Sequence, residues 1–179
     1  MIGENMLQQP EDLTTESTIT CGVREVCQET VLFTESGPRG MIVSSKGCTA
    51  AGITSSGPTK IASPGVTIIS YTKVCSSDLC NGISSTDSLL SPAPPAAPSP
   101  DGLQCPTCLQ VFGSCSSAAY SLCPEGTSRC YQGILKLSGG GITTNLGIQG
   151  CAPKAVIGCH LLGKIQAFGP IGVTEICRG

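Results

Sequence analysis

The sequence predicts an all-β protein made of two disulfide-rich modules joined by a proline-rich linker. Its 13 cysteines, with no tryptophan and 3% aromatic residues, indicate modules that depend on covalent cross-links more than on a large apolar core. Cys48 follows Cys27 at the same distance at which Cys151 follows Cys130, each time directly after a glycine. A long repeat whose cysteines stay in phase predicts a duplicated, disulfide-bonded unit.

The boundary between the two units is predicted from composition. Residues 83–102 contain five prolines among serine and alanine, a composition that favours extended polyproline II and cannot build a core. We therefore predict one module at residues 1–82, a semi-rigid linker at 83–102 and a second module at 103–179.

The first module is predicted to consist of strands and loops. Residues 1–20 are polar without a clear period and are predicted to be a loop or a disordered lead-in. Residues 49–64 are rich in glycine, serine, threonine and proline and are predicted to be a loop. Thr30–Thr34 and Met41–Val43 flank a Gly-Pro turn and predict a β-hairpin. Val66–Val74 is dominated by β-branched residues and predicts the best strand.

The second module is predicted to contain a hairpin with one buried face. Large apolar residues recur at alternate positions on both sides of the glycine turn Gly139–Gly141, namely at 131, 135 and 137 and then at 142, 146 and 148. No segment has the period of a persuasive amphipathic helix.

Charge and composition exclude several functions. The net charge is −2 and no basic run occurs, which argues against nucleic acid binding. No apolar stretch reaches the roughly 18 residues of a membrane span. The cysteine density indicates an oxidising, extracellular compartment, yet the polar N-terminus lacks the apolar region of a signal peptide. The chain is therefore expected to be a fragment of a longer surface protein.

The cysteine motifs indicate a family. The second module reads Cys105-x2-Cys108-x6-Cys115-x7-Cys123-Pro-x-Gly-x3-Cys130-Tyr, followed by Gly150-Cys151, and the first module ends in Cys75-x2-Asp78-Leu79-Cys80-Asn81. This pattern resembles the LU domain of the lymphocyte antigen six and urokinase-receptor family, a three-fingered β fold. The resemblance covers both modules.

The resemblance implies a set of disulfides and a structural hub. The implied pairs are Cys105 with Cys130, Cys108 with Cys115, Cys123 with Cys151, Cys159 with Cys177, Cys21 with Cys48, and Cys75 with Cys80. Cys27 is left unpaired, because the first module lacks the family's first three cysteines. Asn81 is implied to close the hub of the fingers. On this pattern the first module is incomplete at its N-terminus and the second at its C-terminus.

The resemblance also implies a function. It is closest to multi-domain leukocyte surface glycoproteins of the family, which implies a non-enzymatic, lipid-anchored protein of cell adhesion and migration with no cofactor. The implied partners are platelet endothelial cell adhesion molecule, proteinase three and a β2 integrin. From strand alternation we predict that Arg129, Tyr131, Lys136 and Gln149 face solvent on the central finger and contact a partner.

Two other hypotheses remain open at this point. The chain could be a secreted thiol-active protein that uses Cys105, Cys108 or Cys27, or a non-functional truncated product. A zinc site at Cys105, Cys108 and Cys159-His160 lacks a second closely spaced pair of ligands. His160 is the only histidine and no nucleophile motif accompanies it, so it is predicted to be a loop residue rather than a general base.

Overall fold

The structure, a computed structural model, describes residues 2–5, 13–63, 65–89, 96–154, 160–162 and 167–177. These residues contain eleven strands, one short 3₁₀ turn and no α-helix. In chain order the elements are β1 Ile2–Asn5, β2 Glu25–Ser36, β3 Arg39–Ala50, β4 Ser56–Ser63, β5 Val66–Cys75, the 3₁₀ turn Thr86–Ser88, β6 Gln104–Val111, β7 Ala119–Leu122, β8 Arg129–Gly139, β9 Ile142–Ala152, β10 Ala167–Phe168 and β11 Ile171–Cys177.

The first sheet is antiparallel, with its five strands in the order β1-β3-β2-β5-β4. Its centre is the predicted hairpin of β2 and β3, which pair without interruption from Ser36 opposite Arg39 to Glu25 opposite Ala50. The predicted strand at Val66–Val74 is β5, which lies on the other side of β2. The hairpin and this strand are therefore confirmed.

Two segments predicted to be loops contain strands. Within residues 1–20, β1 pairs with β3 from Ile2 opposite Val43 to Asn5 opposite Gly40. Within residues 49–64, β4 is an edge strand on β5, with a register shift between Ser56 and Thr59. Proline is tolerated at edges and bulges, where its missing N–H breaks no ladder. Composition alone therefore did not predict these two strands. Each is held extended by pairing with a neighbouring strand that contains β-branched residues.

The second sheet repeats the arrangement of the first. Its order is β10-β11-β8-β9-β6-β7, so β8, β9 and β11 take the places of β2, β3 and β5, and β7 is added at one edge. The central hairpin pairs Cys130 with Cys151, as the first sheet pairs Cys27 with Cys48. The repeat of cysteine spacing in the sequence is thus a repeat of strand register.

The two sheets share one apolar core. Side chains from the first sheet and from the second form a single buried cluster, which includes Leu32, Met41, Val66, Ile68, Tyr131, Leu135, Leu137, Ile142, Leu146, Ile148, Ile171 and Val173. Across the same interface the Ser36 hydroxyl donates to the Gln149 carbonyl at 3.1 Å. The six alternate positions predicted to be buried in the second hairpin all lie in this cluster, so the prediction of a one-sided hairpin is confirmed.

The opposite face of the first sheet is covered from outside the strands. Val31, Phe33, Ile42 and Ile69 form a second cluster with Leu13, and Ile83 and Leu89 pack against it. Ile83 and Leu89 lie in the segment predicted to be a linker. At its other end Ala97–Ser99 bonds to residues 123–125, with the Ser99 amide donating to the Cys123 carbonyl at 2.7 Å. The described parts of this segment are thus attached to both sheets.

Candidate functional site: the disulfide frame and the exposed finger surfaces

Five disulfides hold the bases of the strands. They join Cys21 to Cys48, Cys75 to Cys80, Cys105 to Cys130, Cys108 to Cys115, and Cys123 to Cys151. These are five of the six pairs that the family resemblance implies. The sixth, Cys159 with Cys177, lies outside the described residues, since Cys159 is not described and only the backbone of Cys177 is.

The disulfides decide what the cysteines can do chemically. Cys105 and Cys108 are bonded to different cysteines, so they do not form the dithiol that a C-x-x-C redox motif requires. The sulfur atoms of Cys105, Cys123 and Cys151 lie within 4.8 Å of one another and are buried. Metal binding needs thiolates, and all three sulfurs are in disulfides. The group is therefore a packed disulfide hub.

Of the cysteines whose side chains the structure describes, only Cys27 is free, and it is half-buried on β2. It lies directly opposite Cys48 on β3 and Cys75 on β5, and both of these are already bonded elsewhere. Residues opposite each other in an antiparallel sheet point to the same face. The thiol therefore lies between two disulfides on one face of the first sheet.

The hub of the first sheet contains two polar side chains that tie the following segment to β2. The Asn81 amide donates to the Gln28 carbonyl at 2.9 Å. The carboxylate of Glu29, which is fully buried, accepts the Ile83 amide at 3.0 Å and lies 3.8 Å from the Lys46 ammonium. Burial raises the pKa of Glu29, although Lys46 and the Ile83 amide act to lower it. Sequence analysis identified Asn81 and missed Glu29.

The second sheet has a corresponding carboxylate, Glu175 on β11, which sequence analysis also missed. Its Oε1 accepts the Tyr131 hydroxyl at 2.6 Å and the Leu161 amide at 2.6 Å, and its Oε2 accepts the Leu162 amide at 3.3 Å. Burial, and the acceptor role and charge of Glu175, raise the pKa of Tyr131. His160 Nδ1 lies 3.9 Å from Oε2 and its side chain is exposed. Strand alternation was the available signal, because Glu175 shares the inward face with Ile171 and Val173.

Two of the four side chains predicted to face solvent are buried, and for Tyr131 this agrees with its place among the alternate apolar positions of the hairpin. Tyr131 is 4% exposed because its ring packs in the shared core and its hydroxyl reaches Glu175. Gln149 is 8% exposed. Its strand is covered on the outer face by the small loop that the Cys108–Cys115 disulfide closes, which lies over the neighbouring Gly147. Arg129 and Lys136 are exposed, as predicted, while their part in partner contact stays a prediction.

The most exposed apolar surface of the second sheet is its first finger, formed by β6, β7 and the loop between them. Residues 102–124, which include this finger, contain no charged residue and no histidine. Phe112, Tyr120 and Leu122 are 73%, 71% and 51% exposed. Phe112 has a positive φ of 61°, unusual for an aromatic residue, and its amide donates to the Asn145 carbonyl at 2.9 Å. Tyr120 and Leu122 point to the same face of the edge strand β7.

The part of the chain that the structure describes contains no α-helix of membrane-spanning length and apolarity.

Comparison with known proteins gives consistent results. The profile of the u-PAR/Ly-6 domain matches residues 7–82 and 101–179. The chain is 42% identical to mouse CD177 antigen over 97% of its length, and 41% identical to testis-expressed protein 101 of Cricetulus griseus over 88%. It spans 21% of the first relative and 63% of the second. The crystal structure of mouse TEX101 matches with a TM-score of 0.70 at 35% identity, over 99% of this chain and 96% of that one.

The duplicated sheet order, the five disulfides and the two profile matches agree with one another. The chain belongs to the u-PAR/Ly-6 domain family, and its two sheets are two successive LU domains of the three-finger class.

Proposed function

We propose that this chain is a non-enzymatic, cell-surface protein-binding module, and that its binding surface is the uncharged first finger of the second LU domain. One observation carries the proposal: Phe112, Tyr120 and Leu122 are exposed within a stretch that has no charged side chain. Aromatic side chains are enriched at the centres of protein interfaces, where charged residues are depleted.

The rigidity of the finger supports this role. The Cys108–Cys115 disulfide closes the loop that contains Phe112, and the Cys105–Cys130 disulfide fixes β6 to β8. A surface ordered before binding loses less conformational entropy when a partner docks, so more of the contact energy appears as affinity. The disulfide frame thus favours recognition by a preformed surface.

The family resemblance supplies candidate partners. We propose a role in leukocyte adhesion and migration, with platelet endothelial cell adhesion molecule, proteinase three or a β2 integrin bound at the extracellular side of the plasma membrane. The similarity to CD177 antigen supports testing these first, and each is a partner proposed for this chain on its resemblance to the family. On the same resemblance, we propose that membrane attachment is through a lipid anchor.

The test is surface plasmon resonance of the immobilised chain, produced in a secretory host, against each of the three ectodomains. The double variant Tyr120→Ser/Leu122→Ser is expected to weaken binding by about 30-fold or more, the loss typical of a central hot spot. Ile19→Ser is the matched control, because Ile19 is 70% exposed on the first domain, and it is expected to leave affinity unchanged. Raising the salt concentration is expected to change affinity little, since the surface carries no charge.

The results discriminate among the hypotheses. Equal loss in the double variant and the control, or binding lost with added salt, would assign recognition to another surface. Well-folded, disulfide-bonded chain that binds none of the three ectodomains would refute the proposed partners. A chain that the secretory host retains or degrades would favour the non-functional truncated product.

A further inference from the structure

We propose that Cys27 is the centre of an internal thiol–disulfide exchange site on the first LU domain, through which the free thiol passes to Cys80 or to Cys21. The thiol of Cys27 is free, and the residues directly opposite it on both neighbouring strands are half-cystines. Cys75 is bonded to Cys80, and Cys48 is bonded to Cys21. Three cysteines therefore stand in one row across β3, β2 and β5.

The register places the Cα atoms of Cys27 and of each opposite cysteine at a separation that a disulfide can bridge. Cα atoms of directly opposite residues in an antiparallel pair are about 4.5 to 5.5 Å apart, and their side chains share a face. Disulfides form at Cα separations of about 4.4 to 6.8 Å. A bond from Cys27 to Cys75, or from Cys27 to Cys48, is thus compatible with the strand positions already present. The exchange requires no unfolding of the sheet.

The chemistry balances without an added reagent. The thiolate of Cys27 attacks the sulfur of Cys75, a new Cys27–Cys75 bond forms, and the electron pair of the broken bond leaves with the sulfur of Cys80, which then takes up a proton. The equivalent attack on Cys48 releases the thiol of Cys21. The cysteines that take part hold one thiol and an unchanged number of disulfides before and after, so nothing is oxidised or reduced overall.

The second domain shows why the site belongs to the first alone. Cys130 occupies the position equivalent to Cys27 and lies opposite Cys151 in the same register. Its sulfur is bonded to Cys105, so this position holds no thiol that could attack a neighbouring disulfide. With the same strand register, the disulfides around Cys130 in the second domain are fixed, whereas those beside Cys27 in the first domain can exchange with its thiol.

The charged groups around Cys27 leave its surroundings close to neutral. On its own face of the sheet the nearest are Glu25 and Glu29 on β2, with Lys46 on β3 and Lys73 on β5 opposite Glu29. Release of Cys80 would open the short loop that precedes Asn81, whose amide holds the Gln28 carbonyl. The exchange would therefore loosen one turn at the hub while the strands stay paired.

The experiment follows the position of the thiol in the whole chain. Protein purified at about pH 5 is shifted to about pH 8, quenched with a thiol-alkylating reagent at intervals, and mapped by peptide mass spectrometry. The label is expected on Cys27 at the start and increasingly on Cys80 or Cys21 later. Because the thiolate is the attacking species, the rate is expected to rise about tenfold for each pH unit while the thiol is mainly protonated.

Three controls make the test decisive. The rate is expected to be independent of protein concentration, and a proportional rise would overturn the internal route by showing exchange between chains. Cys27→Ser is expected to take up no label on any cysteine of the first domain at any time. The double variant Cys75→Ser/Cys80→Ser is expected to confine the migrating label to Cys21. A label that remains on Cys27 throughout, or that appears on cysteines of the second domain, would overturn the proposal.

Discussion

Truncation of Leu32 to alanine is expected to destabilise both LU domains and not the first alone. Leu32 is 1% exposed on β2 and lies in the cluster shared with Leu135, Leu146 and Ile148 of the second sheet. Replacing a buried leucine with alanine removes transfer free energy and leaves a cavity, at a cost of about 2–5 kcal/mol. If both sheets unfold as one unit, the free energy that protects the amides of β9 in the second sheet against hydrogen exchange falls by the same amount.

Hydrogen exchange with mass spectrometry measures this directly, because slowly exchanging amides report the free energy of the opening that exposes them. A loss of about 3 kcal/mol corresponds to roughly 100-fold faster exchange. We expect this acceleration in peptides from β2 and from β9 alike. Val23→Ala is the control, since Val23 is fully exposed and its truncation is expected to change exchange in neither sheet.

A second variant distinguishes unfolding of both domains as one unit from an effect that reaches only the residues in contact with the mutated side chain. Phe33 follows Leu32 on β2, yet it packs in the cluster on the opposite face of the first sheet. If the domains unfold together, Phe33→Ala also accelerates exchange in β9, although Phe33 lies outside the shared core. Acceleration confined to the first sheet in both variants would refute the single folding unit and show that the domains unfold independently.

Three further predictions concern polar and glycine positions. Tyr131→Phe removes the hydroxyl that Glu175 accepts and is expected to lower the free energy of unfolding by about 1–3 kcal/mol in urea titrations; an unchanged midpoint would contradict the role of this hydrogen bond. Burial raises the pKa of Glu29 in the folded chain above its ordinary value of 4.5. The contribution of this carboxyl group to the free energy of unfolding is therefore complete below about pH 4.5 and is lost as the pH rises through the folded-state pKa. Glu29→Gln is therefore expected to gain stability relative to the unmodified chain between pH 4 and pH 7, and a constant difference would contradict the raised pKa. Gly140 has a φ of +59°, and a Cβ there would lie 2.9 Å from a first-sheet hydroxyl, whereas Gly102 has a similar φ of +63° in open space. Gly140→Val is expected to lower the thermal midpoint more than Gly102→Val, and equal shifts would show that backbone strain alone matters.

The central hairpins could be predicted from the sequence because their alternation is local. Period-two apolar residues on both sides of a glycine turn need no knowledge of the rest of the chain, and all six positions in the second hairpin are buried. The strand β4 escaped prediction because its bulge falls at a glycine and a proline, which composition assigns to a loop. Its extended conformation depends on β5, a neighbour that local sequence does not identify.

The failed surface assignments have a different cause. Alternation identifies which residues share a face and leaves open what covers that face. Gln149 lies on the outer face opposite Gln132, yet the loop closed by Cys108–Cys115 covers that part of the strand. Glu175 was missed because the sequence does not show which donors surround an inward-facing carboxylate. In the structure these donors are two backbone amides and the Tyr131 hydroxyl.

The shared core limits where a partner can bind. Each LU sheet has an apolar face, and in this chain those two faces cover each other. The other face of the first sheet is covered by Leu13, Ile83 and Leu89. Of the broad sheet faces that the structure describes, the outer face of the second sheet is then the most open, and it carries Lys136 among polar neighbours. The first finger lies at the edge of the second sheet and carries exposed apolar side chains in a stretch without charge, which is why we place the proposed partner surface there.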